Sequence, residues 1–86
     1  MTDLRLRMDL VWRQADGETL VSGGEFGKYV STNAAGSLLW AELAEGASRQ
    51  ALVDRLVSEF GIDADIAARD VDVFVGELEA NGLLAD

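Results

Sequence analysis

The spacing of apolar residues changes once along this chain, and the change divides it into two kinds of structure. From Leu4 to Trp12 the residues Leu4, Leu6, Met8, Leu10 and Trp12 alternate with their neighbours, the two-residue period of a strand with one buried face. That alternation predicts one continuous first strand. Asp16-Gly17 marks a tight turn with positive φ, and Glu18 to Ser22 carries the residue types of a second arm. Gly23, Gly24 and Gly27 predict another turn, and Lys28 to Thr32 is rich in β-branched and aromatic residues, which predicts a third strand.

After residue 32 the period becomes helical. Asn33 is placed to cap a first helix in which Leu38, Leu39, Trp40 and Leu43 suit burial, ending near Gly46. Ser48 is placed to cap a second, with Leu52, Val53, Leu56, Val57 and Phe60 at three-and-four spacing and Gly61 as its stop. Asp63 is placed to cap a third that runs to about Asn81-Gly82. The expected fold class is α+β: a three-stranded antiparallel sheet followed by three helices, in a winged-helix-like arrangement. Residues 1–86 are expected to form a single domain, because a chain this short buries only about 60 to 65% of its unfolded surface and builds one modest core.

Composition excludes more than it identifies. There is no cysteine and no histidine, so disulfides and thiolate metal sites are excluded, and the commonest base and metal ligand are missing. Seven basic residues against sixteen acidic ones give a net charge of -9, which repels nucleic acid and anionic membrane surfaces. No apolar run is long enough to span a bilayer, and the N-terminus lacks the pattern of a signal peptide, so a cytoplasmic location is expected.

Three groups of residues bear on chemistry. Gly23 to Lys28 lacks the glycine and the Ser or Thr that a phosphate loop needs at the positions of Ser22 and Tyr29, and a hairpin turn explains the glycines. Asp63, Asp65, Asp70 and Asp72 lack calcium-loop spacing, and capping and a solvated helix face account for most of them. The serines have no histidine to activate them. The chain is not expected to be an enzyme, and no cofactor is expected.

Helix geometry exposes one further pattern. At 100° per residue Ala67, Val71, Phe74, Val75 and Leu78 gather on the core face of the third helix, while Ile66 and Val73, with Asp70 and Glu77, run along a separate stripe. If the third strand is a sheet edge, a peptide laid beside it gains main-chain hydrogen bonds from the strand and side-chain contacts from the stripe. The same helix has Arg69 as its only basic residue, which argues against a major groove as its partner.

The ordered set Val11-Trp12-Arg13, Asp16-Gly17-Glu18, Gly27-Lys28-Tyr29, Asn33-x-x-Gly36-x-Leu38-x-Trp40, Gly46 and Asp70-Val71-x-x-Phe74-Val75-x-x-Leu78-x-x-x-Gly82-Leu83-Leu84 resembles the PqqD-like family of precursor-peptide recognition elements. The resemblance covers roughly Leu10 to Leu84 and departs at Thr32, where the family usually places a larger apolar side chain. It implies a fold that binds the leader of a ribosomally made precursor peptide as an extra antiparallel strand between the third strand and the third helix. Carried over by position, it nominates Lys28, Tyr29, Val30 and Ser31 on the strand, and Ile66, Asp70, Val73 and Glu77 on the helix. The partners it implies are the leader peptide and a peptide-modifying enzyme such as a radical-SAM maturase, a leader peptidase or a cyclase of a lasso-peptide pathway. The chain itself would be a monomer or a weak or swapped dimer. The rival expectation is an acidic winged-helix transcriptional protein or a structural adaptor.

Overall fold

The computed structural model describes residues 3–22, 28–31 and 33–85. In chain order these residues form β1 (Val11–Ala15), β2 (Glu18–Ser22), β3 (Lys28–Ser31), α1 (Ala34–Glu45), α2 (Arg49–Phe60) and α3 (Ala64–Ala80). The chain is therefore α+β, strands first and helices after. The expected turn at Gly23, Gly24 and Gly27 and the junction residue Thr32 lie outside the described residues.

β1 and β2 form a hairpin whose register opposes Ala15 to Glu18, so Asp16 and Gly17 are its whole loop. Both have positive φ, 53° and 77°, as a two-residue turn matched to strand twist requires. β2 pairs antiparallel with β3 from Thr19↔Ser31 to Ser22↔Lys28, giving the strand order β1-β2-β3. The hairpin's inner face points at α1. Trp12 meets Trp40 edge to face with ring centroids 5.9 Å apart, and Val21 is only 3% exposed. All five β1 residues are exposed to some degree.

The expected first strand is corrected at its start. Residues 4–10 do not join the sheet but form a strap across the ends of the helices. Leu4 pairs with Ala47 through N–H···O bonds of 2.8 and 2.9 Å, and Leu6 forms an isolated bridge to Leu84. Strap and sheet are separated by a turn at Met8-Asp9, beside which Arg7 grips Asp9 with two bonds of 3.0 and 2.7 Å and reaches Gly82 O at 3.1 Å. The turn breaks the alternation: Leu6 is 4% exposed and Met8, two residues on, is 95% exposed. Two-residue spacing reports burial only while the backbone stays extended.

Each helix starts on the expected cap. Asn33 accepts from Gly36 N–H, Ser48 from Ala51 N–H and Asp63 from Asp65 N–H, contacts of a kind worth about 1 kcal/mol each. Gly61 ends α2 in the left-handed region with φ 63°. The core joins all three helices through Trp40, Leu43, Leu52, Leu56, Ala67, Val71 and Leu78, each without solvent exposure. One expected core residue fails: Phe60 is 45% exposed, because it is the last residue of α2 and the apolar stripe there outruns its cover.

Candidate functional site

A groove of about 320 Å³ opens where the N-terminal end of α1 faces the middle of α3. Its apolar floor is shared with the core: Leu39 is 2%, Leu56 0% and Phe74 8% exposed, and all three line it. Its walls carry polar side chains, Asn33 from the α1 start and Arg69, Asp70 and Glu77 from α3. Val73, 58% exposed, stands on the α3 wall between Asp70 and Glu77. An exposed valine between acidic neighbours over an apolar floor fits an extended peptide that inserts an apolar side chain.

The start of α1 also ties this groove to the sheet. Asn33 lines it and lies two residues after Ser31, the end of β3, so chain connectivity holds the C-terminal end of β3 within about 7 Å of the rim. Among the described residues β3 pairs with β2 on one side and is the last strand on the other. An unpaired strand edge ending at an apolar groove is the geometry that β-strand addition uses.

Of the residues expected on the helix stripe, Asp70, Val73 and Glu77 are brought together in the groove and Ile66 is not. Ile66 shares their helix face and is 50% exposed, but it lies nearly two turns before Val73. Lys28, Tyr29, Val30 and Ser31 form β3 as expected, and their side chains lie outside the described residues. The sequence does not single out Asn33, Ala35, Gly36, Leu39, Leu56, Arg69 and Phe74 as lining. Asn33 is a cap as well as lining, and Leu39 is core as well as lining, because the groove lies against the first turns of α1.

The acidic cluster of α3 is dispersed by the structure. Asp63 caps the helix, and Asp72 takes two bonds from Arg49 at 2.6 and 2.8 Å on the side away from the groove. The Arg49 hydrogen bond holds the Asp72 carboxyl below the usual carboxylate range. Among the described residues no three acidic groups stand where they could hold a metal ion. A second concavity, about 360 Å³, lies beside that ion pair between Leu4 and Glu79, and no strand among the described residues lines it. No helix among the described residues is long and apolar enough to cross a membrane.

A family model described as Coenzyme PQQ synthesis protein D (PqqD) matches residues 15–84. Two solved structures are similar over nearly the whole chain. One, TbiB1 in complex with the TbiA(beta) leader peptide, is 27% identical with a TM-score of 0.83, over 95% of this chain and 99% of that one. The other, lasso peptide synthetase B1 complexed with the leader peptide, is 26% identical with a TM-score of 0.77, over 96% and 98%. No curated protein matches.

Proposed function

The chain belongs to the PqqD family, and from that premise we propose that it captures the leader segment of a ribosomally made precursor peptide and presents it to a maturation enzyme. The observation that carries this reading is that two chains similar to it over 95% and 96% of its length hold leader peptides.

In the proposed complex the leader adds as an antiparallel strand to the free edge of β3. Lys28, Tyr29, Val30 and Ser31 supply main-chain contacts, Asp70, Val73 and Glu77 supply side-chain contacts across the groove, and Ile66 adds a contact beyond it on the same face of α3. The whole of residues 1–86 acts as one recognition domain of winged-helix type, with the third strand serving as the docking edge. The chain performs no chemistry of its own. The groove offers carboxylates, one guanidinium and an amide, without a thiol, an imidazole or a metal cluster among the described residues. The served enzyme is a radical-SAM maturase, or a leader peptidase or cyclase of a lasso-peptide pathway, and the similarity to lasso peptide synthetase B1 favours the latter pair.

Fluorescence anisotropy with a labelled leader peptide from a precursor of the same producer tests this reading. Saturable binding that Val73→Arg weakens, with native far-UV circular dichroism, is the expected result. Failure of the wild-type chain to bind any such leader, alongside tight and salt-sensitive binding to duplex DNA, would favour the transcriptional alternative.

A further inference from the structure

The exposed stripe of α3 carries a repeat. Asp63, Asp70 and Glu77 follow one another at intervals of seven residues, and Ile66 and Val73 each come three residues after an acid. At 100° per residue all five lie within about 80° of one another around the helix. The stripe therefore reads acid, apolar, acid, apolar, acid, and its two apolar members are 50% and 58% exposed.

The acids of this stripe differ in what they already do. Asp63 is spent on capping α3. Asp70 lines the groove and enters no salt bridge among the described residues. Arg69, the cation of the same lining, does not neutralise it, because adjacent residues on a helix do not face each other. Arg69 is exposed and lies about 160° around the helix from the wholly buried Val71, so it leaves the groove toward solvent. With Glu77 beyond Val73, the lining holds two carboxylates to one guanidinium, on a chain whose net charge of -9 adds a field of the same sign.

The spacing suits an extended ligand. Along the helix axis Asp70 precedes Val73 by about 4.5 Å and Glu77 follows it by about 6 Å. Side chains on one face of a strand recur about every 6.7 Å. A strand laid along α3 with an apolar side chain on Val73 thus brings the residues two before and two after that anchor beside the two carboxylates, within the reach of a lysine or arginine stem.

We propose that the groove selects leaders by charge as well as by apolar fit, preferring a segment with a lysine or arginine two residues from its apolar anchor, and that Asp70 is the specificity-determining residue. The proposal rests on the leader-capture reading, since the apolar floor and the strand edge make the site and the carboxylates choose among its ligands. A leader with an acidic residue at that place sets like charges together and is rejected by the same groove.

The test titrates two labelled peptides, the leader of the same producer's precursor and a copy with every lysine and arginine replaced by glutamine, against wild type, Asp70→Lys and Glu45→Lys at low and high salt. Glu45, at the far end of α1 from the groove, is the control for net charge. At low salt, wild type and Glu45→Lys are expected to bind the native leader about fivefold more tightly than the glutamine copy, the scale of an exposed ion pair. Asp70→Lys, with native far-UV circular dichroism, is expected to lose that preference, and high salt to shrink it in the other two chains. Equal wild-type affinity for the two peptides would overturn the proposal and leave leader capture standing. So would a preference that survives in Asp70→Lys, or one that Glu45→Lys abolishes as completely. A wild-type chain that binds neither peptide would instead sink the leader-capture reading, and this proposal with it.

Discussion

Thr19, wholly buried, donates its hydroxyl to Ser37 Oγ at 3.0 Å, and Ser37 donates in turn to Gly17 O at 2.8 Å. Gln14 closes the relay by donating to Thr19 Oγ1 at 3.1 Å and to Ser37 O at 2.6 Å. The β1-β2 hairpin is thereby fastened to α1 by a relay whose middle members, Thr19 and Ser37, are buried, where an unmade hydrogen bond is expensive. Ser37→Ala and Thr19→Val are each expected to lower stability by about 1–3 kcal/mol, because each leaves a partner unsatisfied. The double variant should cost less than the sum of the two, since removing both ends leaves fewer orphans. Urea unfolding measures all three, and strictly additive costs would show that the relay does not act as a unit.

Leu6 and Met8 occupy equivalent positions in the sequence alternation, yet one is 4% and the other 95% exposed. Leu6→Ala should therefore cost about 2–5 kcal/mol. Met8→Ala should stay within about 0.5 kcal/mol of wild type, as exposed substitutions usually do. Equal costs in thermal or urea unfolding would mean that the strap does not hold the position described.

Val73 lines the groove and Ile66 does not, although both are exposed on one face of α3. Val73→Glu is expected to weaken leader binding at least tenfold, and Ile66→Glu by a smaller factor, with stability changed by less than about 0.5 kcal/mol in either case. The ranking is read from two anisotropy titrations. A larger effect at Ile66 would move the peptide toward the start of α3.

The Arg49–Asp72 pair has a definite pH signature. Asp72 is held below the usual carboxylate range, first by the hydrogen bond from Arg49, so the folded chain binds this proton less readily than the unfolded chain does. Its stabilisation is fully present above the ordinary carboxylate value of about 3.9 and is lost as pH falls through the lowered folded value. Asp72→Asn should therefore lower the melting temperature slightly at neutral pH. The gap should close on acidification and shrink in high salt, because both side chains face solvent. A gap independent of pH would assign the effect to something other than the charge.

Much of the architecture was legible because it depends on neighbours in sequence. The turn at Asp16-Gly17 needs two residues that tolerate positive φ, and the caps at Asn33, Ser48 and Asp63 each need a side-chain oxygen within three residues of a free N–H. The stripe of Asp70, Val73 and Glu77 follows from the helical period alone. Errors arose where a local pattern was extended past a break in the backbone, at Met8, or past the end of a neighbour's cover, at Phe60.

By itself, then, the sequence determined the order and boundaries of the helices, the hairpin turn, the acidity, and which α3 residues share a face, since periodicity, capping and charge are short-range properties. Only the tertiary structure decided that residues 4–10 cross the helix ends instead of joining the sheet, and that Asn33 and Leu39 meet Val73 in one groove. It alone decided, too, that Arg5 and Met8 meet Trp12 at the opposite end of α1. These pairings join residues far apart in sequence, and they are selected by how the whole set of apolar faces packs at once, a condition that no single stretch of chain contains.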